Sequence, residues 1–398
     1  MTMPKKELGY SPGLDGIIAG ETAICKIDIE REDMFYRSYS IKEIAEEATW
    51  EEVAYLLLYE HIPDKRELAV FKKTIGEQRD LPGPLVDFLK KIPFGTPCMD
   101  IMRTAASALS HFDPLANDNS KEAMQEQATS LLSKLPVVIS VWNAIRNGKT
   151  IPEPDPKASV AEDLLRMTTG KKNWPSGVRA LEVSLILYAE HEFNASTFAA
   201  RVIASTLSDL YSAVTGGVGA IKGPLHGGAN ERALELIRKF KDPDDAEKGV
   251  LKMLDRKEKI MGFGHRVLRG GDSRAHITKM WARKLAEEAG SDFFAISERI
   301  DQVMEREKGL FPNMDFYMAT VYNLLGFPTD TFTPIFVTSR VTGWSANVIE
   351  QWSNNRLIRP RSLYNGPDPR PWPDQARGRR SRRLSWAKLS KSAASLSS

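Results

Sequence analysis

The sequence predicts an all-α, multi-helical protein in two domains, with one minor β element near the N-terminus. Three observations lead there. Apolar residues recur at helical spacing along most of the chain. Period-2 alternation is confined to "ETAICKIDIEREDMFYRSYS", Glu21 to Ser40, which can form a small hairpin. There is no βαβ alternation, no repeat of fixed period, and no GxGxxG or P-loop. At 398 residues and 42% hydrophobic content the chain can bury a large core.

Taken in order, "SIKEIAEEATWEEVAYLLLYEHIP" carries two capping-box patterns, Ser40 with Glu43 and Thr49 with Glu52, followed by Val53, Leu56 and Leu57. Two consecutive helices follow from that. "DKRELAVFKKTIGEQRDLPGPLVDFLKKIP" repeats the pattern, with Pro82 and Pro84 separating helices. "NGKTIPEPDPKAS", Asn147 to Ser159, reads as an exposed Pro-rich loop. In "ASTFAARVIASTLSDLYSAV" the residues Phe198, Val202 and Leu207 can share an inner stripe. "NERALELIRKF" offers Asn230 as an N-cap, with Ala233, Leu234 and Ile237 on one face.

Composition narrows the function classes. The N-terminus reaches Pro and Gly before an apolar signal segment could form, and no run of about 18 apolar residues suggests a membrane span. A cytoplasmic protein is expected. Cys25 and Cys98 match no CxxC pattern, so two buried thiols are expected and neither a disulfide framework nor a thiolate metal site. The chain total is +3, yet seven basic residues follow Gln375 with no acid after Asp374, which leaves −4 on the residues before them. The body therefore carries no nucleic-acid footprint, and the basic, Ser-rich tail 373–398 is expected to be disordered.

Two histidines stand in unusual surroundings. "IKGPLHGGANE" places His226 among six glycines between Gly216 and Gly228, just ahead of a helix start. The positive end of a helix disfavours a second positive charge, so this imidazole is expected to stay neutral and donate a hydrogen bond, with backbone free to adopt φ > 0 on either side. A Gly-rich turn with an incidental histidine would account for this segment equally. "MGFGHRVLRGGDSR" sets His265, Arg269, Asp272 and Arg274 in a second glycine-rich break, where guanidinium groups suit an anionic ligand. A surface arginine cluster is the alternative there. Asp315 opens a further helix, where an acid can simply complement the dipole.

Five separated motifs, "GPLHGGANE", "GFGHRVLRGGDSR", "NMDFY", "FVTSRVTGW" and "NNRLIRPRSLY", with "AEHEFNASTFAARV" as a sixth, resemble in order and spacing the citrate synthase family, including its 2-methylcitrate synthases. The resemblance runs from about Tyr10 to Trp372. The tail beyond departs from it, Tyr188 stands in place of a frequent histidine, and Ser273 in place of a frequent proline; neither is expected to touch the catalytic set. The resemblance implies a homodimer with a large helical domain (1–224 and 321–372) and a smaller mobile one (225–320), the active site lying between them.

It also implies roles. Asp315 would take a proton from the methyl of acetyl-CoA, His226 would donate to the thioester oxygen, and His265 would protonate the oxaloacetate carbonyl. Desolvation must strengthen Asp315 as a base, because a carboxyl of pKa about 3.9 is far too weak unaided. His191, Arg274, Arg340 and Arg359 match the substrate positions, Arg359 reaching into the partner subunit's site. Arg269, Gly262, Phe263, Gly264 and Lys259 would meet coenzyme A, the thioester co-substrate. No metal is expected. Acetyl-CoA is the expected donor, with propionyl-CoA as the alternative, since one methylene is worth only about 1 to 3 kcal/mol in an apolar pocket. Two rival readings come from other classes: a non-haem iron triad of the two histidines and Asp315, which leaves the arginines unexplained, and a helical scaffold binding nucleic acid through its tail.

Overall fold

The computed structural model of the chain describes residues 9–264 and 272–370. His265, Arg269 and the basic tail 373–398 lie outside the described residues. Residues Ile18–Ile358 form one compact unit. Residues 9–17 and 359–370 belong to a second, which contains a 3₁₀ turn at Pro12–Leu14 and a hydrogen bond from the Tyr364 hydroxyl to the Pro367 carbonyl.

The first unit opens with three strands, β1 (Cys25–Asp28), β2 (Asp33–Tyr36) and β3 (Tyr39–Ser40), in an antiparallel meander. Cys25 pairs with Tyr36 and Phe35 with Ser40, so the expected hairpin gains a short third strand. Helices follow: α1 (Ile41–Glu47), α2 (Trp50–Tyr59), α3 (Lys65–Glu77), α4 (Gly83–Leu89), α5 (Cys98–Leu109), α6 (Lys121–Arg146), α7 (Val160–Thr169) and α8 (Pro175–Tyr188). Then come α9 (Ala195–Ala204), α10 (Leu210–Ile221), α11 (Ala229–Ile237), α12 (Pro243–Asp255), α13 (Ser273–Ala289), α14 (Phe293–Lys308), α15 (Met314–Leu325) and α16 (Phe332–Ser353). The fold is all-α, with the sheet as a minor element.

Local chemistry explains the boundaries. Thr49 and Glu52 form a full reciprocal capping box at α2, and Asp64 with Glu67 forms another at α3. Ser40 does cap α1, but without Glu43: its hydroxyl donates to Asp33 at 2.6 Å and accepts only from the Lys42 N–H. Pro82 sits at the start of α4 and Pro84 within its first turn, where the missing N–H costs nothing. Residues 147–159 carry no regular secondary structure, as expected of the Pro-rich stretch.

The long helices α6 and α16 pack together at the centre, with α5 and α7 on α6 and α9, α10, α8 and α2 on α16. Helix α6 is apolar enough to cross a membrane by length and composition, with a mean hydropathy of 1.3, but 89% of that window is buried inside the protein, as befits a core helix. Helices α11 to α15 pack mainly on one another, α13 against α15 and α12 against α14. Cys25 and Cys98 are free and buried.

The stripe expected on α9 is corrected. Phe198 and Val202 are only partly buried, and Leu207 is exposed beyond the helix with φ 67°. The inner face is instead Ser196, Thr197, Ala200, Arg201 and Ala204. Small residues let α9 lie close against α10 and α16, and buried Arg201 is satisfied by Asn347 at 2.9 Å and Glu350 at 2.7 Å.

Candidate active site

The site is built where α8, α10, α15 and α16 end or begin. The segment after α10 turns sharply, with the His226 N–H bonded to the Gly223 carbonyl and the Gly227 N–H to the Ile221 carbonyl, both at 2.9 Å. None of the glycines from Gly216 to Gly228 has positive φ, so left-handed backbone is not the reason for them. Space is the reason at Gly216, Gly217 and Gly227, whereas Gly219 and Gly228 face open space. A Cβ on Gly227 would lie 2.4 Å from the Ile221 oxygen, and one on Gly217 2.8 Å from the Trp344 ring. The α11 N-cap position is Gly228 rather than Asn230, which is buried inside the first turn. Thr333 at the head of α16 donates to the Gly227 carbonyl and to Glu231, fixing the turn that carries His226.

His226 is anchored through Nε2. That nitrogen accepts the Ser196 backbone N–H at 3.3 Å and lies 2.8 Å from the Ser196 hydroxyl. The single hydroxyl proton also has Asn194 Oδ1 within 2.8 Å, but that oxygen already receives the Ser196 and Thr197 amides. The tautomer inferred from this network has Nε2 as acceptor and the proton on Nδ1. Burial, reinforced by the Arg340 charge, pushes the imidazole down to about 4. The neutral histidine expected from the sequence thus has a different main cause from the helix end invoked for it.

Asp315 sits in the first turn of α15, behind the N-cap Asn313, whose side chain accepts its N–H at 3.1 Å. Desolvation raises its carboxyl to about 6, against the lowering pull of a Tyr188 hydrogen bond and the charges of Arg274 and Arg340. Tyr188, the last residue of α8, donates from its hydroxyl to Asp315 Oδ1 at 2.5 Å. The expectation that this tyrosine stands clear of the catalytic set is therefore wrong. Its ring lies 4.1 Å from that of Phe336, and the His226 ring meets the same phenylalanine edge-on at 6.4 Å. His226 and the Tyr188–Asp315 pair are thereby brought around one phenylalanine.

Two guanidinium groups complete the setting. Arg274, at the head of α13, is held by the N-cap Asp272 through Nε at 2.9 Å and Nη2 at 2.8 Å. Burial opposes its charge, but the Asp272 carboxylate outweighs burial and keeps it firmly protonated. Arg340 is 2% exposed, donates from Nε to the Tyr188 carbonyl at 2.7 Å, and lies 4.7 Å over the Phe336 ring. Among the described residues, the one hydrogen bond of its guanidinium is that from Nε, and no carboxylate forms an ion pair with it. Burial lowers its pKa, with Glu190 pulling the other way. A buried guanidinium whose fork is unoccupied among the described residues has the chemistry to receive a small anion.

The remaining candidates fall in different places. His191 follows α8 in a loop carried by the sheet: the Tyr36 hydroxyl donates to the Glu190 carbonyl at 3.0 Å, and Glu192 accepts the Ile27 N–H at 2.9 Å. Gly262 and Gly264 have φ of 89° and 79°, as the second glycine-rich segment requires. Their loop is pinned to the start of α15, with Asn313 N–H bonded to the Gly262 carbonyl at 2.9 Å and the Phe263 ring 4.7 Å from Phe316. Lys259 is exposed nearby in sequence. Arg359 is exposed and belongs to the other unit. Ser196, Phe336 and Asp272 as a partner of Arg274 were not singled out from the sequence. Only the short Asp272 to Arg274 spacing could have signalled its pair.

Comparisons with known proteins identify the family. The family model described as "Citrate synthase, C-terminal domain" matches residues 13–361. A 2-methylcitrate synthase from Shewanella oneidensis is 45% identical over 360 residues, covering 90% of this chain and 95% of its own. A Bacillus subtilis protein named citrate/2-methylcitrate synthase is 42% identical, covering 90% and 97%. Among solved structures, the Thermoplasma acidophilum citrate synthase in ternary complex with carboxymethyl coenzyme A and oxaloacetate superposes with a TM-score of 0.86 at 32% identity, covering 91% and 98%. The chain belongs to the citrate synthase family. It is an enzyme of the citrate synthase type, in a group whose curated members carry both the citrate and the 2-methylcitrate synthase names.

Proposed function

We propose that this enzyme condenses acetyl-CoA with oxaloacetate and water to give citrate and free coenzyme A. The observation that carries the reading is a desolvated carboxyl, Asp315, raised to about 6, gathered around Phe336 with a neutral imidazole, His226, whose Nδ1–H has no acceptor among the described residues. Asp315 removes a proton from the thioester methyl while His226 donates to the thioester oxygen, so that charge on the forming enolate is met as it develops. The methylene carbon then bonds to the oxaloacetate carbonyl carbon, and His265 supplies the proton to that carbonyl oxygen. Water hydrolyses the resulting thioester and the coenzyme A thiol leaves.

The dianionic substrate suits the free fork of Arg340 together with Arg274 and His191. Arg359 would complete the neighbouring site of a homodimer. Arg269, Lys259 and the backbone of Gly262 to Gly264 would hold coenzyme A, and the attachment of that loop to the head of α15 would couple coenzyme A binding to Asp315. Segment 225–320 is the proposed mobile domain.

A second reading, 2-methylcitrate formation from propionyl-CoA, is favoured by the name of the Shewanella relative, while that of the Bacillus relative carries both products. Steady-state kinetics with both thioesters at fixed oxaloacetate decide between them. Turnover of acetyl-CoA supports the first reading, and failure to use it while propionyl-CoA reacts well replaces it with the second.

A further inference from the structure

The structure assigns Tyr188 as the positioning residue of Asp315: its hydroxyl holds Oδ1, so that Oδ2 alone faces the substrate as the base. The inference rests on the proposed condensation and concerns how its base is aimed. Four observations carry it. The hydroxyl lies 2.5 Å from Oδ1, and Tyr188 is 2% exposed. Its ring is fixed 4.1 Å from Phe336, and its carbonyl accepts Arg340 Nε at 2.7 Å. One residue thus ties the general base to the anion-binding arginine.

Burial, with the Asp315 charge adding to it, raises the phenol well above its ordinary range, so it remains a donor at any working pH. An ionised Asp315 can only accept. After Asp315 gains a proton, Oδ1 is still occupied by the phenol, so the new proton resides on Oδ2, the atom that removed it. The hydrogen bond is therefore compatible with both states of the base and costs no rearrangement between them. Around the pair, Arg274 and Asp272 face Asp315 from the head of α13, Arg340 faces it from α16, and Tyr322 lies on its own helix.

Tyr188→Phe removes the hydroxyl and leaves the ring against Phe336. We expect kcat to fall about 10- to 100-fold, the share of a hydrogen bond to a charged group, with KM for oxaloacetate nearly unchanged. The substrate-free protein gives an independent readout. In isotope-edited infrared titration, the Asp315 carboxyl band, identified by its loss in Asp315→Asn, should titrate at higher pH in Tyr188→Phe, because a hydrogen bond to the charged form has gone. An unchanged titration, or a normal kcat, overturns the assignment. So does a variant that merely melts earlier and raises both KM values, which marks a packing role only. If the wild-type protein releases no coenzyme A with oxaloacetate, the proposed condensation fails, and the infrared titration still decides whether Tyr188 governs Asp315.

Discussion

Replacing Asp315 by Asn should make the protein more stable while making it nearly inactive. The carboxyl titrates at about 6 in the folded chain, against an ordinary 3.8, because desolvation outweighs the Tyr188 hydrogen bond and the two arginines. A folded pKa above the unfolded one means that the native state binds the proton more tightly. Stability is then lost as pH rises from about 4 to about 6, and the full cost is present above that. A shift of about 2 at ~1.4 kcal/mol per pH unit gives at most ~3 kcal/mol at pH 8, and about 1 to 3 kcal/mol is expected because Asp315 keeps some solvent contact. Asparagine keeps the acceptor for Tyr188 and drops the charge. Urea denaturation at one protein concentration, at pH 8, 6, 5 and 4, measures the difference. The Asn variant should lead at pH 8, and the gap should shrink steadily below pH 6. A variant no more stable at pH 8, or a gap indifferent to pH, would refute the reasoning about desolvation.

Other consequences follow from the same geometry. Turnover of Asp315→Asn should fall by roughly 10²–10⁴ with oxaloacetate binding retained, as read by calorimetry, and hydrolysis of supplied citryl-CoA should survive better because it needs no methyl deprotonation. In the wild type, kcat/KM for the thioester should drop below about pH 6 as Asp315 protonates; a profile flat down to pH 5 would contradict the raised carboxyl. Ser196→Ala should cost about an order of magnitude in kcat by loosening His226, measured at saturating substrates, and should also lower the melting temperature because the buried Trp344 Nε1–H loses its acceptor. Gly227→Ala should destabilise by about 1–3 kcal/mol in urea, since its Cβ would meet the Ile221 oxygen at 2.4 Å. Saturating oxaloacetate should compact the protein in small-angle scattering if segment 225–320 closes as proposed.

What could be read from the sequence was local. Capping at Thr49, the first-turn acid Asp315 of α15, the Pro-marked break before α4 and the single alternating segment near β1 are all set by neighbours within a few residues. The inner face of α9 was not legible, because its small residues are chosen by the closeness of α10 and α16 rather than by apolar periodicity. The glycines around His226 show the same limit. Their density is visible in sequence, but what requires Gly217 and Gly227 is Trp344, Ile221 and Thr333, brought against them by the fold. Tyr188 and Asp315 are separated by 127 residues, and only the packing of α8 against α15 makes the tyrosine part of the site.

The most direct test of the central claim is thiol release measured with the purified wild-type protein, acetyl-CoA or propionyl-CoA, and oxaloacetate, with product identified by mass. Coenzyme A release should depend on oxaloacetate, yield citrate from acetyl-CoA, and be abolished or cut at least about 100-fold in both Asp315→Asn and His226→Ala. Release that proceeds equally without oxaloacetate, or that survives both substitutions, would contradict that claim.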